Sequence, residues 1–78
     1  MNMGIMIRRK FKMQIMVEKF NETIFEGDAD DFLFDNNSDT DLEMALNDLE
    51  GMKIGSNIQA YDDNGDLVTI TKTTLYVD

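Results

Sequence analysis

Apolar and polar residues alternate from Ile7 to Phe20. Phe11, Met13, Ile15 and Val17 share one side, and Lys10, Lys12, Gln14 and Glu18 the other, with Met16 the exception. A period of two over this length predicts a half-buried strand. Asn21-Glu22 then predicts a tight turn into a second strand, Thr23-Ile24-Phe25-Glu26, which Gly27 ends.

Residues 28–37 follow neither period cleanly. Asp28-Ala29-Asp30-Asp31-Phe32-Leu33-Phe34-Asp35 reads as a loop anchored by its aromatics, before Asn36-Asn37 breaks the chain. In a strand, Phe32 and Phe34 would share a face.

Helical spacing is clear from Ser38 to Gly51. Leu42, Ala45, Leu46 and Leu49 recur at three and four residues and make one apolar stripe. Ser38 is the expected cap, with Asp41 three residues on, and Gly51 the expected stop. Asp39 and Asp41 suit the positive end of the helix dipole.

The last pattern is a second hairpin, Lys53 to Tyr61 and Leu67 to Val77, around Asp63-Asn64-Gly65-Asp66. Asn-Gly predicts a type I′ turn with both residues at positive φ. A two-residue loop pairs Tyr61 with Val68, Gln59 with Ile70 and Ile58 with Thr71. Gly55-Ser56 is expected to interrupt the incoming strand with a bulge.

These elements predict an α+β domain, a small antiparallel sheet of about four strands in the order β-β-α-β-β with one helix packed on it. The helix stripe and the Phe11/Met13/Ile15/Val17 face should form the core, with Met13, Met44 and Met52 filling gaps. At 78 residues the chain is one domain, residues 1–78. With 42% apolar residues and five Phe, folding is expected over disorder.

Charge changes the picture. The 33 residues from Phe20 to Met52 hold eleven carboxylates and no Lys or Arg. Residues 1–19 balance at +4, residues 20–52 at −11 and residues 53–78 at −2, giving a net −9. The chain is an acidic body with one basic edge, Arg8-Arg9-Lys10-x-Lys12. Long-range repulsion argues against direct nucleic-acid binding through that edge. Lys10 and Lys12 are read as blunting an edge strand.

Candidate chemistry is sparse. Asp62, Asn64 and Asp66 around Gly65 suggest a calcium loop, but Ala60 then falls where Asp is needed and Thr71 where Glu is needed. Turn chemistry is the better reading. With no His, no Cys and only Ser38 and Ser56 as serines, an enzyme is not expected, and no cofactor or metal is. Lack of Cys fits a reducing compartment, and no stretch reaches membrane-span length, so a cytoplasmic protein is expected.

The one-signed window suggests a surface that imitates nucleic acid, since duplex DNA presents about one charge per 1.7 Å of axis. In overall character the chain resembles the small acidic proteins that phages encode to block host nucleic-acid enzymes, the DNA-mimic, anti-restriction and anti-CRISPR type. The resemblance rests on the single small domain, the absence of Cys, His, Trp and Pro, and the segment Glu22 to Glu50. It implies a non-enzymatic inhibitor that occupies the basic groove of a DNA- or RNA-handling protein.

The expected partner-binding residues are Asp28, Asp30, Asp31, Asp35, Asp39, Asp41, Glu43, Asp48 and Glu50, with Phe32 and Phe34 as anchors or core plugs. The alternative is an accessory or assembly module that pairs by a sheet edge, through Thr69 to Val77, with itself or a partner.

Overall fold

A computed structural model describes residues 11–75. It is an α+β fold of six elements: β1 (Met13–Lys19), β2 (Glu22–Asp28), α1 (Ala29–Asp35), α2 (Thr40–Glu50), β3 (Asn57–Tyr61) and β4 (Leu67–Leu75). The strands form one antiparallel sheet in the order β2-β1-β4-β3. Arg8, Arg9 and Lys10, and the expected continuation of the last strand to Val77, lie outside the described residues.

The core matches the periodic pattern. Phe11, Met13, Ile15 and Val17 bury one side of the first strand against Leu42, Leu46 and Leu49 of α2, with Val68 and Ile70 of β4 completing the layer. Met44 and Met52 do not fill core gaps; Met44 is 61% exposed, because it lies off the α2 stripe.

Residues 29–35 form a helix and not a loop. Ala29, Phe32 and Leu33 recur at helical spacing and are buried, and the Phe32 ring meets Phe25 of β2 at 5.3 Å between centroids. A helix separates what a strand would have placed together. Phe32 points into the core, whereas Phe34 is 78% exposed.

The cap of α2 is Asp39, not Ser38. Ser38 (φ 52) and Asn37 (φ 59) both sit in the left-handed region and form the link between the helices. Asp39, at φ −56 and ψ 133, has the extended backbone that a cap needs, and its carboxylate accepts the Leu42 N–H.

Both hairpin turns differ from expectation by one residue. Phe20 (φ 53) and Asn21 (φ 65) make the turn with two positive φ values, and Lys19 pairs with Glu22, one residue earlier than Asn21-Glu22 suggested. In the second hairpin only Gly65 (φ 83) is left-handed. The Asp62 carboxylate accepts the N–H groups of Asn64 and Asp66, Gly65 N–H donates to the Asp62 carbonyl, and Asp62 N–H donates to the Asp66 carbonyl. This closes a three-residue loop with a left-handed glycine. The extra loop residue shifts the register by one. Tyr61 pairs with Leu67, Ala60 with Val68, Gln59 with Thr69 and Ile58 with Ile70.

Two edge assignments change as well. β1 lies between β2 and β4, so Lys12 precedes a central strand and does not guard an edge. β4 lies between β1 and β3, which leaves β2 and β3 as the sheet edges. β3 starts only at Asn57. Just before it, Gly55 (φ 96) and Ser56 stand together opposite Lys72: Gly55 N–H donates to the Lys72 carbonyl and Lys72 N–H to that of Ser56, which is the expected bulge, with a left-handed glycine as its first residue.

Candidate functional site

The helix layer carries most of the acidic window and divides it into two kinds of carboxylate. One kind holds the fold together. Asp30 of α1 accepts the Phe11 N–H with both oxygens, at 3.3 and 3.2 Å. Glu50 at the end of α2 accepts the Lys12 N–H at 2.8 Å. Asp39 caps α2. These three fasten the chain entering β1 to both helices and start the longer helix. Asp28 occupies the cap position of α1 without a side-chain cap bond. Asp28 and Glu43 are half-buried.

The second kind faces water. On α1, Asp31, Phe34 and Asp35 are all exposed. On α2, Asp41 and Asp48 are exposed and Met44 stands between them. Residues three, four and seven apart lie along one side of a helix, so Met44 stands in line between Asp41 and Asp48, while on α1 Phe34 and Asp35 both lie one turn beyond Asp31. Among the described residues, none of these four carboxylates takes part in a salt bridge or a side-chain hydrogen bond. Phe32, expected as an anchor or a core plug, is a core plug.

Two of the lysines in the described residues are held within the fold. Of the four Lys in the described residues, Lys72 is 3% exposed and donates from Nζ to the Glu50 and Met52 carbonyls, both at 2.7 Å. It satisfies carbonyls that the end of α2 would otherwise leave open. Lys19 is held by Asp62 at 2.9 Å and Asp66 at 2.8 Å. Lys12 and Lys53 are exposed.

The Lys19–Asp62 contact perturbs both groups. Burial pushes the Asp62 carboxyl up, but hydrogen bonds from Lys19, Asp66 N–H and Asn64 N–H together outweigh it and hold the group below the usual carboxylate range. Hydrogen bonds to Asp66 and then Asp62 raise the Lys19 ammonium above its ordinary value. Reading the sequence for charge gave no sign of this pairing, because residues 19 and 62 meet only through the β1–β4 register.

Among the described residues, no group of three His, Cys, Asp or Glu side chains can hold a metal ion. The Asp62 oxygens are engaged in the turn and in the ion pair. No helix of the described residues is long and apolar enough to cross a membrane. No protein-family model, curated protein or solved structure matches the chain.

Proposed function

We propose that the protein is a non-enzymatic inhibitor whose acidic helix layer occupies a basic groove of a DNA- or RNA-handling protein, as an anti-restriction or anti-CRISPR protein of a phage does. The observation that carries this reading is the outward-facing set Asp31, Asp35, Asp41 and Asp48, presented on two helices together with Phe34 and Met44. Exposed carboxylates on rigid helices offer a cationic groove fixed charge, as phosphates do, and an apolar side chain beside each pair supplies a desolvating contact. The protein itself does not bind nucleic acid in this reading, and its site of action is the host cytoplasm.

Of the segment Thr69 to Val77 that the sheet-edge reading uses, residues 69–71 lie between β1 and β3, whereas Thr73 and Thr74 extend past the β3 pairing. Of the remaining edges, β2 carries exposed Glu22 and Glu26, which oppose pairing of that edge with a second copy.

The test is to replace Asp31, Asp35, Asp41 and Asp48 together with Lys. These positions avoid the cap and the two backbone clamps, so helix content by circular dichroism should persist. Capture of the partner should be lost through slower association, and wild-type capture should weaken as salt rises. Full-strength capture by the folded variant would reject the proposal.

A further inference from the structure

Phe20 breaks a local rule of the fold. Its φ of 53 is a conformation that Asn or Gly adopts readily and a bulky side chain does not. No burial offsets that strain, because the side chain is 76% exposed. Its ring stands 5.8 Å from the Lys19 ammonium. Strained residues without a stability gain cluster at binding and active sites.

A second observation shows what lies beside it. Phe20 walls a recess of about 300 Å³, together with Glu18, Asn21, Leu67 and Thr69. Glu18 and Thr69 are cross-strand partners and do not belong to the core cluster, which places the recess on the sheet face away from the helices. Exposed Tyr61 pairs with Leu67 at its margin. The volume is at the lower limit of small-molecule sites, so it suits one long side chain better than a whole ligand.

Charge and shape select that side chain. Among the described residues, Glu18 is the one charged group lining the recess, and Glu22 stands across from Lys19 at the same turn. Lys19 is already neutralised by Asp62 and Asp66. An anionic acceptor beside an aromatic face fits a guanidinium, which is planar, stacks on rings and donates in a fork. An ammonium is compact and strongly hydrated and fits less well.

We infer that this recess takes an arginine side chain of a protein partner, which stacks on Phe20 and donates to Glu18. The inference rests on the cationic partner proposed above, but uses the open sheet face and not the helices.

The test is a ¹H–¹⁵N NMR titration of the labelled protein with blocked Gly-Arg-Gly, Gly-Lys-Gly and Gly-Gln-Gly peptides. The arginine peptide should shift the amides of residues 18–21 and 67–69 saturably, the lysine peptide more weakly and the glutamine peptide not at all. Glu18→Gln and Phe20→Asn should each lose the response. Phe20→Asn should also melt at an equal or higher temperature, because Asn tolerates the left-handed backbone; a merely structural Phe20 would give a lower one. The variant with Lys at 31, 35, 41 and 48 should keep the response, so this site and the helix face can fail separately. Shifts confined to the helices, equal shifts with the glutamine peptide, or an unaltered response in Phe20→Asn would overturn the inference. So would concentration-dependent shifts at the recess without peptide, which would assign it to self-association.

Discussion

Lys19 Nζ donates to Asp62 Oδ2 at 2.9 Å, and this contact ties the end of β1 to the turn between β3 and β4. β1 runs toward its own turn and β4 runs away from the 62–66 turn, so their antiparallel pairing gathers both turns at one end of the sheet. Asn37 in the helix–helix link reaches the same end and donates to Asp63 at 2.9 Å. The buried Asp62 carboxylate accepts from three donors at once: the Lys19 ammonium and the Asn64 and Asp66 N–H groups.

Asp62→Asn keeps an acceptor for the backbone but removes the charge. At neutral pH it should destabilise the fold by about 1.5–3 kcal/mol, the range for hydrogen bonds to charged groups. The folded-state pKa of Asp62 lies below 3.8, so its contribution is present above that pH and is lost as pH falls through the lower folded value. Urea midpoints of wild type and variant should therefore converge in strong acid. On the alkaline side, the raised Lys19 value keeps its contribution intact up to 10.5 and loses it above. A stability gap that widens on acidification would contradict this pairing.

Lys72→Met should cost about 1–3 kcal/mol, because Met fills the buried channel of the stem but leaves the Glu50 and Met52 carbonyls without their donor. Denaturant unfolding reads this directly. An unchanged midpoint would mean that water replaces the ammonium without loss.

Leu46 and Met44 are two residues apart on α2 and should respond oppositely. Leu46 is fully buried, so Leu46→Ala should cost roughly 2–5 kcal/mol. Met44→Ala should fall within about 0.5 kcal/mol of wild type, as surface substitutions do. Equal losses at both positions would contradict the orientation of α2.

Gly65→Val tests the turn. A Cβ at Gly65 would meet nothing within 4 Å, so any loss comes from the φ of 83 alone. The expected loss is about 1–2 kcal/mol or more, since β-branched residues avoid that region most strongly, while Gly65→Asn should be milder. Thermal melts of the pair separate backbone strain from packing.

Period carried much of the fold into the sequence. Phe11, Met13, Ile15 and Val17 at period two, and Leu42, Leu46 and Leu49 at helical spacing, are buried together because each face has one consistent partner. The short α1 was harder, since Ala29, Phe32 and Leu33 give only one helical repeat among carboxylates that also suit a loop. The turns misled for a specific reason. Asn64-Gly65 favours two positive φ values locally, but the Asp62 carboxylate organises a longer loop around them. Nothing in its residue type puts Phe20 in a left-handed turn. The acidic window was legible as charge, but not as function. Only placement separates Asp30, Asp39 and Glu50, which bond to backbone, from Asp31, Asp35, Asp41 and Asp48, which face water.

If the helix carboxylates stand where a partner's phosphates would, nucleic acid and this protein must compete for the partner. The most direct measurement is displacement: partner captured on the immobilised protein at low salt is challenged with short duplex DNA, and the supernatant is assayed for partner and the beads for DNA. DNA should then release the partner in a dose-dependent way, and no bead-bound complex should hold both, as expected of two ligands for one groove. Beads that retain the partner and DNA together would contradict it.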